Sequence, residues 1–154
     1  MGSEIVVLGG LLAITFILNG VGVFTPGWFV DKSAGGGGSV GLVPLRSDEV
    51  NWLLAASILM FMTFAFLVIT VVIYGSVAIT IHRYGYSFAM RRDFSNIATG
   101  ALLNTIMTVI AVILIGTNIN GFSVGYSAWI CVSSAGISVG VIILAVFIGH
   151  KKCK

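Results

Sequence analysis

The eight basic and five acidic residues of this 154-residue chain all fall in four short regions, and everything between those regions is uncharged. Glu4 stands alone near the start. Asp31, Lys32, Arg46, Asp48 and Glu49 form the second group, Arg83, Arg91, Arg92 and Asp93 the third, and Lys151, Lys152 and Lys154 the last. The uncharged stretches between them, 5–24, 51–81, 97–115 and 122–149, are each long enough to cross a hydrocarbon layer roughly 30 Å thick, which takes about 20 helical residues. Only helices or closed barrels span lipid, because every backbone polar group must be satisfied internally there. A barrel would show alternating apolar and polar residues, whereas runs such as Ile58-Leu59-Met60-Phe61-Met62 and Val141-Ile142-Ile143-Leu144 are apolar on every side. The expected fold is an all-α membrane protein, one domain of four transmembrane helices.

Composition agrees, since 58% of residues are hydrophobic and only 8% charged, too few charges to coat a soluble domain of this length. The first stretch is expected to be a retained span. Glu4 precedes it without any Lys or Arg, unlike a signal peptide, and no small-x-small cleavage site precedes Thr25-Pro26-Gly27.

Cytoplasmic loops collect Lys and Arg, and six of the eight basic residues sit in the connection 82–96 or the C-terminal tail. Both termini are therefore expected inside, with the segment 25–50 as the main extracellular loop between helices 1 and 2. The basic residues lie at inner helix ends, so they read as membrane anchors and not as a nucleic-acid surface. Cys131 falls within the fourth span and Cys153 in the tail, so neither can staple an external loop; Cys153, flanked by lysines, is a candidate for palmitoylation. The sequence Lys151-Lys152-Cys153-Lys154 also fits a dilysine retrieval signal, which sets the endoplasmic reticulum beside the plasma membrane as a location.

Chemistry has little to work with. His82 and His150 are the two histidines, each beside basic residues at a helix end; no paired carboxylates, metal-ligand spacing or nucleophile elbow occurs, and Gly35–Gly38 lacks the Lys of a phosphate loop. Catalytic, cofactor and metal sites are not expected. The spans also lack the ionisable residues that mark ion pathways. Their most polar points, Asn19 and Asn104, read as interhelical contacts, and Gly121, Gly125, Gly136 and Gly140 as small residues that let helices approach.

In the first loop, Trp28 to Val30 and Val40 to Leu45 flank the glycine run, which predicts either a small β-hairpin on the membrane surface or a flexible tip. Trp28, Phe29, Gly41 and Leu42 are the candidate contacts, with Trp28 read either as an anchor to headgroups and the bundle top or as a contact for a partner.

Four spans, inside termini, Pro26-Gly27-Trp28 just after the first helix and a later Gly41-Leu42 resemble the claudin and peripheral myelin protein superfamily of tetraspans, which includes auxiliary subunits of receptors and channels. Val43 stands where the family's second Trp belongs, and the two loop cysteines are absent. The resemblance implies one of two roles. One is an auxiliary or structural subunit packed laterally against a larger integral membrane protein, such as a channel or receptor, or against itself; the other is cell–cell adhesion or a paracellular barrier. A small channel or transporter is a further alternative. The short, unstapled loop favours the first.

Overall fold

The computed structural model describes residues 2–31, 39–42, 51–118 and 122–153. The glycine run at 35–38, the segment 43–50 and Gly121 lie outside the described residues. Four helices carry the fold: α1 (Ser3–Phe24), α2 (Asn51–Tyr84), α3 (Met90–Asn118) and α4 (Tyr126–Lys151). All four are long and apolar enough to cross a membrane. Only 33% of each helix's most apolar window is buried within the bundle, so the greater part of that surface needs lipid or another protein as solvent.

The ends of the helices differ from the uncharged stretches. α3 begins at Met90 where the sequence reading starts it at 97, because Arg91, Arg92 and Asp93 are excluded from hydrocarbon but not from a helix that projects past it. α2, at 34 residues, is about 51 Å long and projects likewise. It stops at Gly85, whose φ of 79° is open to glycine at little cost and whose N–H closes the last turn on the Ile81 carbonyl at 3.0 Å.

At the other end, three short strands form an antiparallel sheet in the order β2-β1-β3: β1 (Phe29–Asp31), β2 (Ser39–Val40) and β3 (Phe122–Val124). β3 corrects the expectation of a helix from 122. Phe29 pairs with both Val40 and Val124, so the first loop and the last are tied together through β1. The backbone of 122–124 is engaged in that ladder, and extended Gly125 (ψ 177°) separates it from α4.

Inside, the bundle is layered. One apolar cluster, toward the basic end, packs Ile5, Leu8, Leu12, Ile81, Phe94 and Ile148. A second, under the sheet, packs Val23, Trp28, Leu42, Met60, Ile115 and Cys131. Between them in every helix lie fully or almost fully buried polar residues: Thr15 and Asn19, Thr63 and Thr70, Asn104 and Thr108, Ser134 and Ser138. Close backbone approach helps the helices meet. A Cβ on Gly100 would collide with the Thr70 hydroxyl, and one on Gly9 with the Tyr74 ring, whose hydroxyl donates to the Ile5 carbonyl at 2.8 Å.

Candidate interaction surfaces

The sheet end is built from the first turn of α4 upward. Gly125 presses against the Gly27 carbonyl so closely that no side chain fits, and its N–H donates to the Trp28 carbonyl at 2.8 Å. The Ser127 N–H donates to the Gly27 carbonyl at 3.1 Å, and its hydroxyl accepts from the Gly27 N–H at 3.2 Å. Thr25 and Ser127 share a hydroxyl–hydroxyl bond of 2.7 Å. The effect is to cap α4 with the backbone of the first loop, since Gly125 supplies no side-chain cap of its own.

That clamp fixes Trp28. The side chain is fully buried, and its indole N–H donates to the Gly22 carbonyl at 2.7 Å. Leu42 is 1% exposed in the same cluster, and a Cβ on Gly41 would lie 2.8 Å from Pro26 Cα. Of the two readings of Trp28, the anchor to the bundle top and the contact for a partner, its burial with Leu42 against Val23, Ala128 and Cys131 fits the first, since it removes more apolar area from water than exposure would. Phe29 contributes backbone pairing at the centre of the sheet. Trp129, by contrast, is 65% exposed one turn into α4, and Tyr126 beside it is also exposed.

The polar layer joins three helices. Asn19 Nδ2 approaches Asn104 Oδ1 at 3.5 Å, and Asn104 Nδ2 donates to Ser138 Oγ at 2.6 Å. Ser138 in turn donates to the Ser134 carbonyl, and Ser134 donates across to the Thr15 carbonyl at 2.9 Å. α1, α3 and α4 are thereby locked in one register, because sliding any one of them would strand a polar group in an apolar interior.

The glycines divide. Gly125 is a backbone contact and Gly140 an ordinary one, 3.8 Å from Leu11 Cδ1. Gly136 has nothing within 4 Å of where its Cβ would stand, so it does not pack against another helix of this chain. It opens instead onto a groove of about 400 Å³ between α3 and α4, whose walls include Thr105, Val109, Val112, Val132 and Val139. Spacing of small residues does not say which side of the helix they occupy.

At the basic end, Lys152 pairs with Glu4 at 3.2 Å and Lys151 lies 4.9 Å over the Phe147 ring. Cys153 is 3% exposed within the apolar cluster there, and burial pushes its thiol above the usual range, partly offset by Arg91. The candidate palmitoylation residue thus turns its sulfur inward after α4 ends, where a thiol is less reactive than an exposed one. Burial likewise raises the Tyr86 hydroxyl.

Sequence reasoning missed Ser127 and gave no partner to Gly22, read only as one of the small packing residues of the first helix, or to Gly27. A Cβ on Gly22 would strike Cys131 Sγ, so α1 and α4 meet there at backbone distance. Gly22 and Gly27 flank the Thr25-Pro26 helix end, a visible signal, but their partners lie about a hundred residues away.

A family model described as "Tight junction protein, Claudin-like" matches residues 1–154. No curated protein matches the chain.

Proposed function

This chain belongs to the claudin-like tight junction protein family, and from that premise we propose that it is a non-enzymatic auxiliary subunit, which packs laterally against a larger membrane protein and alters its assembly, trafficking or gating. The observation that carries this reading is the burial of Trp28 and Leu42. Trp28 and Leu42 hold the bundle's own top together, and the side of the bundle offers a broad apolar contact surface. Ile69, Val72, Ile79, Ile113 and Ile143 all point outward, and the α3–α4 groove at Gly136 lets a partner helix come closest.

In this reading the sheet faces outside and the end bearing Arg83, Arg91, Arg92, Lys151 and Lys152 faces the cytoplasm. Lys151 is helical and stacked on Phe147, and Lys152 is ion-paired; a dilysine signal held this way is poorly presented to a coat receptor, which favours the plasma membrane.

Purification under native conditions from membranes, with quantitative mass spectrometry, tests the proposal. A larger integral membrane protein recovered at fixed stoichiometry, and lost from a Gly136→Phe variant, is the expected result. The family's description as tight junction proteins favours a second reading, cell–cell adhesion through the sheet end. Recovery of the chain only with copies of itself, concentrated where expressing cells touch, would replace the first reading with that one.

A further inference from the structure

The basic end of the bundle holds two adjoining cavities that share Arg91 and Ser95. The larger, about 540 Å³, lies around the start of α3 and is lined by Phe88, Ala89, Arg91, Arg92 and Ser95. The smaller, about 180 Å³, enters the cleft between α3 and α4, where Arg91 and His150 stand above Phe94, Ala145, Val146 and Gly149. Gly149 makes this cleft possible: a Cβ there would lie 3.2 Å from Phe94 Cβ, so the two helices cross close together with Arg91 beside the crossing.

The charges at this end are not equivalent. Lys152 has Glu4 and Lys151 has the Phe147 ring, whereas Arg91 and Arg92 are exposed and form no ion pair among the described residues. Asp93, the nearest carboxylate in sequence, lines neither cavity. Arg91 and Ser95 thus line both cavities, Arg92 the larger and His150 the smaller, and the rest of the smaller one, Phe94, Ala145, Val146 and Gly149, is apolar. A planar fork of donors matches phosphate oxygens, and an apolar floor below it matches the start of an acyl chain.

We propose that these two adjoining cavities together bind one anionic phospholipid, its phosphate held where they meet by Arg91 and Ser95 with Arg92 reaching it from the larger cavity, and its acyl chain along Val146 in the α3–α4 cleft. The proposal rests on the reading that this end faces the cytoplasmic leaflet, where anionic lipids collect. It requires no protein partner, so it fails or stands separately from the subunit role.

The test is native mass spectrometry of the full chain released from phosphatidylcholine nanodiscs doped with phosphatidylinositol 4-phosphate. Arg91→Gln and Arg92→Gln should each reduce retention of the phosphoinositide about fivefold. Arg83→Gln, which removes the same charge from outside both cavities, should leave it unchanged. An equal loss in Arg83→Gln would show diffuse attraction to the leaflet and overturn the site. Val146→Trp keeps every charge but fills the floor; it should weaken phosphoinositide retention while binding of free inositol phosphate in detergent stays as it was. If Val146→Trp leaves lipid retention untouched, or free inositol phosphate binds as tightly as the lipid, the cleft takes a phosphate without a lipid and the proposal is wrong.

Discussion

The indole N–H of Trp28 donates to the carbonyl of Gly22 at 2.7 Å, so the loop that leaves α1 turns back to satisfy a carbonyl in that helix's last turn. The bond lies in a fully buried setting, where an unpaired carbonyl costs more than a lost surface contact. Trp28→Phe keeps the ring and removes the donor. It should destabilise the protein by about 1–3 kcal/mol, read as a lower midpoint of thermal unfolding in detergent. An unchanged midpoint would mean that water replaces the indole at Gly22.

Gly125 and Gly136 are predicted to behave in opposite ways when changed to alanine. At Gly125 the new methyl meets the Gly27 carbonyl, which is backbone and cannot swing away. The clamp should open at a cost of about 2 kcal/mol or more. At Gly136 the methyl meets nothing, and the gain in helix propensity should leave stability within about 1 kcal/mol, on the favourable side. Comparing folded yields and melting midpoints decides it; similar losses at both positions would contradict the clamp.

Asn104→Leu should cost about 1 kcal/mol, the usual size of an interhelical hydrogen bond in a membrane bundle. Asn19 and Ser138 both lose a partner in that variant. Asn19→Leu combined with it should cost less than the two single changes together, because the pair acts as one contact. Additive losses in a double-mutant cycle would show that the 3.5 Å approach of the two amides carries no coupling.

Cys153 is expected to react slowly with maleimide. Thiolate is the reacting form, and burial raises the thiol's pKa, so at any given pH less thiolate is present than on a free cysteine. In a Cys131→Ser background, labelling should climb at a higher pH than that of an exposed thiol and should accelerate on unfolding. Labelling at the rate of free cysteine near neutral pH would place the sulfur outside the cluster.

Glu4→Gln removes one end of a partly exposed ion pair. Such pairs contribute little to stability, and salt screens them. The melting midpoint should shift only slightly, and the difference from the unchanged protein should shrink as salt is added.

Much of the fold was legible because the penalty for charge in hydrocarbon is local: each Arg or Asp reports its surroundings without regard to distant residues. Four spans and their approximate limits follow from positions such as Arg83, Arg91 and Lys151 alone. The polar points Asn19 and Asn104 were visible for the same reason. What they touch was not, and neither was the third strand. Phe122-Ser123-Val124 carries no charge to separate it from α4, and its partner β1 is roughly ninety residues earlier. Trp28 read as an anchor to headgroups and the bundle top or as a contact for a partner, because a Trp beside a membrane helix serves either. Its burial depends on Gly22, Gly27, Gly125 and Ser127 arriving at one place from both ends of the chain. The sequence by itself determined which segments lipid must surround, a property that sums over neighbours along the chain. Tertiary structure alone decided which faces meet, which aromatic goes inside and which cations are left unpaired, since each of those depends on distances between residues that the sequence keeps far apart.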